Sequence, residues 1–187
     1  ATAAPPNEGL EALARIDKGR LLAVSEHLLD EHGNLRAWVL PFAEAPGEAV
    51  PGPDLALSIH AVPPFSVTDA RLLEGGDLLL LERSYDPVQG PVMQMRRIAA
   101  GTLASAVASA AAGTSPPPLD GETLAVLNTD YGIDNMEGLA VRRGERGETL
   151  AYVVSDDNFH TPLQRTLLLL FEVTGGSPDR NGEPPSP

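Results

Sequence analysis

Short aliphatic segments, each bounded by glycine, asparagine or proline, recur along the chain. The first two are Glu11–Ala14 and Leu21–Glu26, on either side of the turn Lys18–Arg20, and Leu35–Leu40 follows the turn His32–Asn34. Short apolar runs between turn residues are typical of antiparallel β-hairpins. The pattern therefore predicts an all-β chain.

The same order of segments occurs twice more, with an acidic residue near both ends of each apolar hairpin. The second copy is Thr68–Arg71, Gly75–Asp77, Leu78–Arg83, Pro87–Gly90 and Val92–Ile98. The third copy is Glu137–Ala140, Gly147–Glu148, Leu150–Asp157, Thr161–Arg165 and Thr166–Val173. Repeated four-stranded antiparallel units are typical of β-propellers. We therefore predict about three propeller blades, each an antiparallel four-stranded sheet.

The predicted blades occupy approximately residues 7–60, 61–115 and 116–174. Residues 1–6 are predicted to be a disordered lead-in. Residues 175–187 are predicted to be a disordered tail, because they combine proline, glycine and polar residues with few apolar ones.

Three segments outside the repeat have their own patterns. Pro41–Pro53 is rich in proline and glycine and is predicted to be a surface loop. Ala99–Gly113, rich in alanine and serine, suits either a helix or a weak outer strand. Asp120–Leu127 is predicted to be a short helix with Asp120 as its cap. The loop and the alanine-rich segment account for a repeat longer than the roughly 40–45 residues of a compact blade.

Three blades are too few for a closed ring, because propellers close with about four to eight blades. An open arc leaves unpaired strand edges and uncovered apolar faces at both ends. We therefore expect further blades from an N-terminal half of the propeller, from a second chain, or from a blade of this chain that the pattern does not reveal.

The charge balance narrows the expected partners. There are 13 Lys and Arg residues against 26 Asp and Glu residues, a formal net charge of −13. Such a surface repels phosphate backbones, so no nucleic-acid partner is expected. Carboxylates suit hard divalent cations such as calcium, although a charge that only maintains solubility explains the balance equally well. No apolar run approaches the roughly 18 residues of a membrane span, so no membrane partner is expected either.

Acidic residues occupy two recurring places in the copies. Glu11, Asp69 and Glu137 open the first strands, while Glu26, Glu82 and the pair Asp156 and Asp157 close the second strands. Equivalent strand ends of a propeller converge at one mouth of its channel, where gathered carboxylates repel one another unless a positive charge offsets them.

Two groups are candidates for that positive charge. One is calcium, held by oxygen ligands from these acids. The other is Arg83, whose guanidinium pairs carboxylates or phosphate in bidentate fashion. In a third interpretation, each acid satisfies backbone donors at a turn or strand end, as Asp commonly does.

Signatures of other chemistries are absent from the sequence. Without cysteine there is no thiolate nucleophile and no cysteine-based zinc site. No G-x-S-x-G or H-E-x-x-H motif occurs. Ser25 and Ser155 precede acids at equivalent positions and are assigned structural hydrogen bonds. Tyr131 and His160 flank polar clusters and are candidate pocket residues.

The motifs together resemble the C-terminal part of the phytase-like (esterase-like activity of phytase) family. The matching segments are Asn7–Ala14, Thr68–Asp69 with Leu81–Arg83, Asp134–Ala140, and Ser155–Phe159 followed by Gln164–Thr166. Family members resemble secreted or periplasmic bacterial proteins, so the resemblance implies that location. The chain departs from the family in having few blades and little Lys and Arg to bind a polyanionic substrate.

The resemblance implies a calcium-dependent phosphoesterase or esterase that acts on a small anionic substrate at the channel mouth. Its implied catalytic residues are Arg83, Glu137 and Asp156. Its implied metal ligands are Glu11, Glu26, Asp69, Glu82, Glu137, Asp156 and Asp157. The alternative is a non-catalytic periplasmic propeller that binds a ligand or a partner protein through its loops.

Overall fold

The computed structural model describes residues 9–43, 45, 52–160 and 164–175. The first antiparallel sheet has four strands in chain order: β1 (Leu10–Asp17), β2 (Arg20–Leu29), β3 (Leu35–Pro41) and β4 (Leu55–Ile59). The second has four: β5 (Ser66–Leu72), β6 (Leu78–Asp86), β7 (Gly90–Ile98) and β8 (Glu122–Leu127). The third has three: β9 (Met136–Arg143), β10 (Thr149–Ser155) and β11 (Leu168–Val173).

The sheets stack in chain order as an open arc. The first strands β1 and β5 are in contact, and so are β5 and β9. Within the described residues the sheets do not close into a ring. The prediction of an all-β chain forming a partial propeller is therefore confirmed. Among the described residues the third sheet has three strands where four were predicted.

The middle sheet is covered on both faces, and the sequence of β6 reflects this. Leu78 and Leu80 belong to the apolar core shared with the first sheet, whereas Leu79 and Leu81 belong to the core shared with the third sheet. Because side chains alternate across a strand, a strand buried on both faces requires an unbroken apolar run. By contrast, β11 alternates, and its Leu168 and Leu170 are 67% and 55% exposed.

The alanine-rich segment forms a helix, α1 (Ala100–Ala111), which is one of the two predicted alternatives. It buries Leu103, Ala106 and Val107 in the core between the first two sheets. The helix contacts β4, so it covers the edge of the arc where those sheets meet. It is the only α-helix within the described ranges, and its 12 residues are too few to cross a membrane.

The short helix predicted over Asp120–Leu127 is wrong, because Glu122–Leu127 is strand β8. It pairs with β7 through contacts such as Gln94 with Val126. Gly121 precedes the strand and passes so close to Arg97 that a Cβ there would lie 2.8 Å from the Arg97 carbonyl oxygen. Backbone pairing with a free sheet edge outweighs local helix propensity here. The second sheet consequently extends past residue 115 to Leu127.

Several predictions concern residues that the structure does not describe. These are the lead-in 1–6, most of the loop Pro41–Pro53, residues 161–163 and the tail from residue 176. They lie outside the described residues and stay predictions.

Candidate functional site

Each first strand contains a register shift close to its start. In each strand the shift skips one residue in the pairing with the second strand. The skipped residues are Glu11 in β1, Thr68 in β5 and Glu137 in β9. A β-bulge of this kind bends the strand and redirects the side chains around it. The three strand ends are therefore irregular at the same level of the arc.

The bulges change which residues of the copies are equivalent. The ladder aligns Thr68, not Asp69, with Glu11 and Glu137. It aligns Glu82 with Ser25 and Ser155, so the residue that follows, Arg83, aligns with Glu26 and Asp156. A basic residue thus stands in the second sheet where the other two sheets carry an acid.

Arg83 joins the three sheets at this level. Its Nε atom lies 3.0 Å from Oε1 of Glu137 in the third sheet, and its Nη2 atom lies 3.9 Å from Oε1 of Glu26 in the first. The side chains of Arg83, Glu137 and Glu26 are 30%, 30% and 16% exposed. They form a half-buried acid–base–acid cluster, in which the guanidinium neutralises carboxylates that would otherwise repel each other.

Burial raises the pKa of Glu137 above its ordinary value of 4.5. The charge of Arg83 and a hydrogen bond from Asn135 oppose this rise in pKa, and the negative charge of Glu26 adds to it. A carboxyl that protonates more readily is better suited to exchanging a proton with a substrate near neutral pH. Glu137 is therefore the leading acid–base candidate in the cluster.

Glu26 also contacts His27, which in turn contacts Ser66. Nδ1 of His27 lies 3.3 Å from Oε2 of Glu26, and Nε2 of His27 lies 3.0 Å from Oγ of Ser66. Ser66 is the direct ladder partner of Arg83. No sequence motif marks His27 or Ser66, and the position of His27 next to Glu26 is the only signal in the sequence.

An irregularity in β2 allows the neighbours Glu26 and His27 to meet. The pairing of β2 with β3 shifts register between Val24 and Leu29. Within that stretch Oγ of Ser25 contacts the carbonyl oxygens of Leu28 and Arg36, at 3.1 Å and 2.9 Å. Adjacent side chains of a regular strand point to opposite faces, so this departure brings the carboxylate to the imidazole.

A cavity of about 630 Å³ opens beside Arg83. Arg165, His160, Gln164 and Tyr85 are among the residues that line it. Its lining carries two arginines and one acidic residue, Asp134, in a protein whose net charge is negative. It is therefore suited to an anionic group. The candidate pocket residue His160 lies in this lining.

The wall of this cavity is fixed by backbone hydrogen bonds. The Asp134 carboxylate accepts from the backbone nitrogens of Asn135 at 2.8 Å and Arg165 at 3.0 Å. The backbone nitrogen of Asp156 donates to the carbonyl oxygen of Asn135 at 2.9 Å. Asn135, whose side-chain amide hydrogen-bonds to Glu137, is therefore fixed by hydrogen bonds at both its backbone nitrogen and its carbonyl oxygen.

Glu82 lies outside the cluster, in the interior of the second sheet. Its carboxylate is fully buried and accepts from Arg96 at 2.7 Å and 3.1 Å and from the amide of Gln94 at 2.9 Å. Arg96 in turn donates to the carbonyl oxygen of His60. The predicted ligand Glu82 thus has a complete set of protein partners.

Asp69 connects two sheets. Its Oδ2 atom accepts from the backbone nitrogen of Leu139 at 2.7 Å, and its Oδ1 atom pairs with Arg71. Asp156 and Asp157 accept from the backbone nitrogens of Asn158 and Phe159, each at 3.0 Å. These three acids do what the third interpretation of the sequence assigns to them, which is to satisfy backbone donors.

The described residues do not gather into a calcium site. No group of three or more acidic or histidine side chains lies close enough together within the described ranges. Glu11 is exposed on β1, and Arg83 occupies the space between Glu26 and Glu137 where a cation would sit. The donor set does not fit calcium in this chain alone, and calcium stays a prediction.

Comparisons with known proteins bear on the family and the extent of the chain. A family model described as "Phytase-like: Esterase-like activity of phytase" matches residues 1–159. No curated protein matches the chain. Among solved structures, a protein of unknown function from Bacteroides caccae is similar, at 13% identity and a TM-score of 0.38. The alignment covers 92% of this chain and 48% of that one, so this chain spans about half its length.

Proposed function

The chain belongs to the phytase-like (esterase-like activity of phytase) family, and we propose from this that it hydrolyses a small anionic ester at the Arg83 end of its sheets. A phosphoester is the substrate class expected of that family. The observation that carries the proposal is the 3.0 Å contact of Arg83 with Glu137 beside a cavity that contains a second arginine.

Arg83 is proposed to bind the anionic group of the ester. A guanidinium offers a planar set of donors that matches phosphate oxygens, and it keeps its charge at all relevant pH values. Its contacts to Glu26 and Glu137 hold it in place before the substrate arrives. Arg165 and His160 extend the same lining and are proposed to contact the remainder of the anion.

Glu137 is proposed to exchange the protons of the reaction. A protonated carboxyl gives its proton to the leaving oxygen, and the resulting carboxylate takes a proton from the water that completes the hydrolysis. The raised pKa of Glu137 supports this role. Asp156 remains a proposed catalytic residue, and its backbone already supports Asn135 beside Glu137.

Three further parts of the proposal rest on the family resemblance. They are calcium dependence, a periplasmic or secreted location, and completion of the propeller by an N-terminal half or a second chain. The exposed Leu13 at one end of the arc and Leu168 and Leu170 at the other support the need for further blades. No step of the proposed reaction passes through calcium.

The test compares turnover by the full chain and two glutamate variants. p-Nitrophenyl phosphate and the uncharged ester p-nitrophenyl acetate serve as substrates, each with added calcium and with a chelator. We expect Glu137→Gln to lower phosphoester turnover at least about a hundredfold. The control Glu74→Gln removes an exposed partner of Arg143 that also joins the second and third sheets, and is expected to keep turnover.

Absence of turnover by the folded wild-type chain would contradict the proposal. If turnover is absent but added phosphate still raises the unfolding temperature, the result would favour the alternative, a non-catalytic propeller that binds a ligand or a partner protein.

A further inference from the structure

We propose that Ser66 is the nucleophile of this ester hydrolysis, with His27 taking its proton and Glu26 orienting His27. The inference rests on the proposed function and extends it, because that function leaves the attacking group unassigned. It assigns a site on β2 and β5 that no sequence motif marks.

The three side chains stand in the order that activates a serine. Oγ of Ser66 lies 3.0 Å from Nε2 of His27, and Nδ1 of His27 lies 3.3 Å from the Glu26 carboxylate. With the hydroxyl as donor, Nε2 accepts and the protonated Nδ1 faces Glu26. A base that touches the hydroxyl and is itself held by a carboxylate is the arrangement that defines serine nucleophiles on unrelated folds.

The exposure of the three groups suits these roles. The His27 side chain is 52% exposed, so the imidazole and the hydroxyl beside it are open to a substrate. The Glu26 side chain is only 16% exposed, and its carboxylate has the Arg83 guanidinium at 3.9 Å. The reacting groups are therefore accessible, and the orienting group is sheltered.

Arg83 stands beside the proposed nucleophile. Ser66 and Arg83 are direct partners in the ladder between β5 and β6. Negative charge develops on the phosphoryl oxygens as the serine attacks, and a preorganised cation at that place stabilises it. The same arginine thus serves substrate binding and the charge that forms during reaction.

The proposed reaction has two displacements. In the first, Ser66 Oγ bonds to phosphorus, the bond to the leaving oxygen breaks, the hydroxyl proton passes to His27 Nε2, and Glu137 protonates the leaving oxygen. In the second, water attacks phosphorus and gives a proton to the Glu137 carboxylate. The bond to Ser66 Oγ then breaks, and His27 returns its proton there. Ester and water become alcohol and phosphate, and all protein groups return to their first state.

The experiment measures covalent labelling of the full chain by a fluorophosphonate ester, with the modified residue located by mass spectrometry of peptides. Wild-type protein is expected to carry one adduct, on Ser66. His27→Gln is expected to slow labelling at least about a hundredfold. The matched control is His32→Gln, because His32 also neighbours a glutamate, at 3.8 Å, but lies on an exposed turn with no serine partner. It is expected to label at the wild-type rate.

Glu26→Gln tests the orienting role. It is expected to slow labelling of Ser66 while the thermal unfolding midpoint changes little, a pattern that a merely structural contact would not give. For turnover, Ser66→Ala is expected to lose p-nitrophenyl phosphate hydrolysis, and Ser105→Ala, on the exposed face of α1, to keep it.

Several results would overturn the inference. They are a folded wild-type chain without an adduct, an adduct on another residue, or equal slowing by His27→Gln and His32→Gln. Full turnover by Ser66→Ala would refute Ser66 as nucleophile and leave the proposed function standing. Labelling of Ser66 without turnover of any phosphoester would refute the proposed function and support an activated serine. Because the adduct is located on wild-type protein, the test does not depend on variants that fold.

Discussion

Arg83 Nε lies 3.0 Å from Oε1 of Glu137. Arg83 belongs to β6 in the second sheet, whereas Glu137 belongs to β9, the first strand of the third sheet. The contact is made at the bulge where β9 begins. A side chain from one sheet therefore fixes the start of the next, at the level where the cavity opens. Several expected properties depend on this contact and its neighbours.

Replacing Glu137 by Gln should change how stability depends on pH. Burial places the pKa of Glu137 in the folded protein above its ordinary value of 4.5. A raised carboxyl pKa means that its stabilising contribution is present below the unfolded pKa and is lost as pH rises through the folded pKa. Glutamine does not ionise, so the free energy of unfolding should shift in favour of Glu137→Gln as pH rises from below 4.5 to neutral. Urea unfolding at both ends of that range measures the shift.

Glu148 provides a control of opposite sign. Backbone hydrogen bonding and Arg146 lower its pKa below 4.5. Its contribution is therefore present above the unfolded pKa and is lost as pH falls. For Glu148→Gln, the free energy of unfolding should shift in favour of the wild type as pH rises. Equal shifts for Glu137→Gln and Glu148→Gln would refute the opposite pKa directions assigned to the two residues.

Removing Arg83 should create a better place for calcium than the wild-type chain has. In Arg83→Met, Glu26 and Glu137 face each other without a countercharge, and carboxylates in that position are relieved by a hard cation. We expect added calcium to raise the unfolding temperature of Arg83→Met more than that of wild type. The double variant Arg83→Met with Glu137→Gln should lose the effect. Equal calcium shifts in wild type and Arg83→Met would show that Arg83 does not replace a cation.

Breaking the buried pair of Glu82 and Arg96 should destabilise the fold strongly. Both side chains are 1% exposed, and either left alone is an uncompensated buried charge. Arg96→Met is expected to cost about 3–5 kcal/mol of unfolding free energy in urea. The exposed pair of Arg143 and Glu74 provides the control, since Arg143→Met should cost only about 0–1 kcal/mol. A cost for Arg96→Met no larger than the control would contradict the ion-pair assignment.

Asp69→Ala should loosen the contact between the second and third sheets. It leaves the buried backbone nitrogen of Leu139 without its acceptor, which costs about 1–3 kcal/mol. Hydrogen exchange at the Leu139 amide should accelerate accordingly. Asp157→Ala, which frees an exposed donor at Phe159, should change stability less. Unchanged exchange at Leu139 would argue against the bridging role.

Polar substitution of the open face of the third sheet should change association. Leu168 and Leu170 are exposed side chains on the outer face of β11, where a further blade would pack. The double variant Leu168→Glu with Leu170→Glu is expected to sediment as a smaller species than wild type at high concentration. Val88→Glu, at an exposed position in the turn between β6 and β7 of the second sheet, is the control. Identical sedimentation of all three proteins would indicate that the face binds no second chain.

Local pattern was enough to predict much of the fold and part of the site. The apolar runs and glycine turns located the hairpins, because a strand and its turn depend on residues close together in sequence. The recurring acids directed attention to Glu26 and Glu137, and the sequence named Arg83 as their internal countercharge.

Tertiary structure decided the remainder. The β-bulges determine which residues of the three sheets are equivalent. Pairing with the edge of β7 makes Glu122–Leu127 a strand, and packing brings Arg96 into contact with Glu82 and His27 into contact with Ser66. Each of these depends on contacts between residues far apart in the chain, whose distance is fixed only when the sheets stack. The sequence determined which side chains were available and the strands that carry them, whereas the stacking of three sheets determined which charges meet.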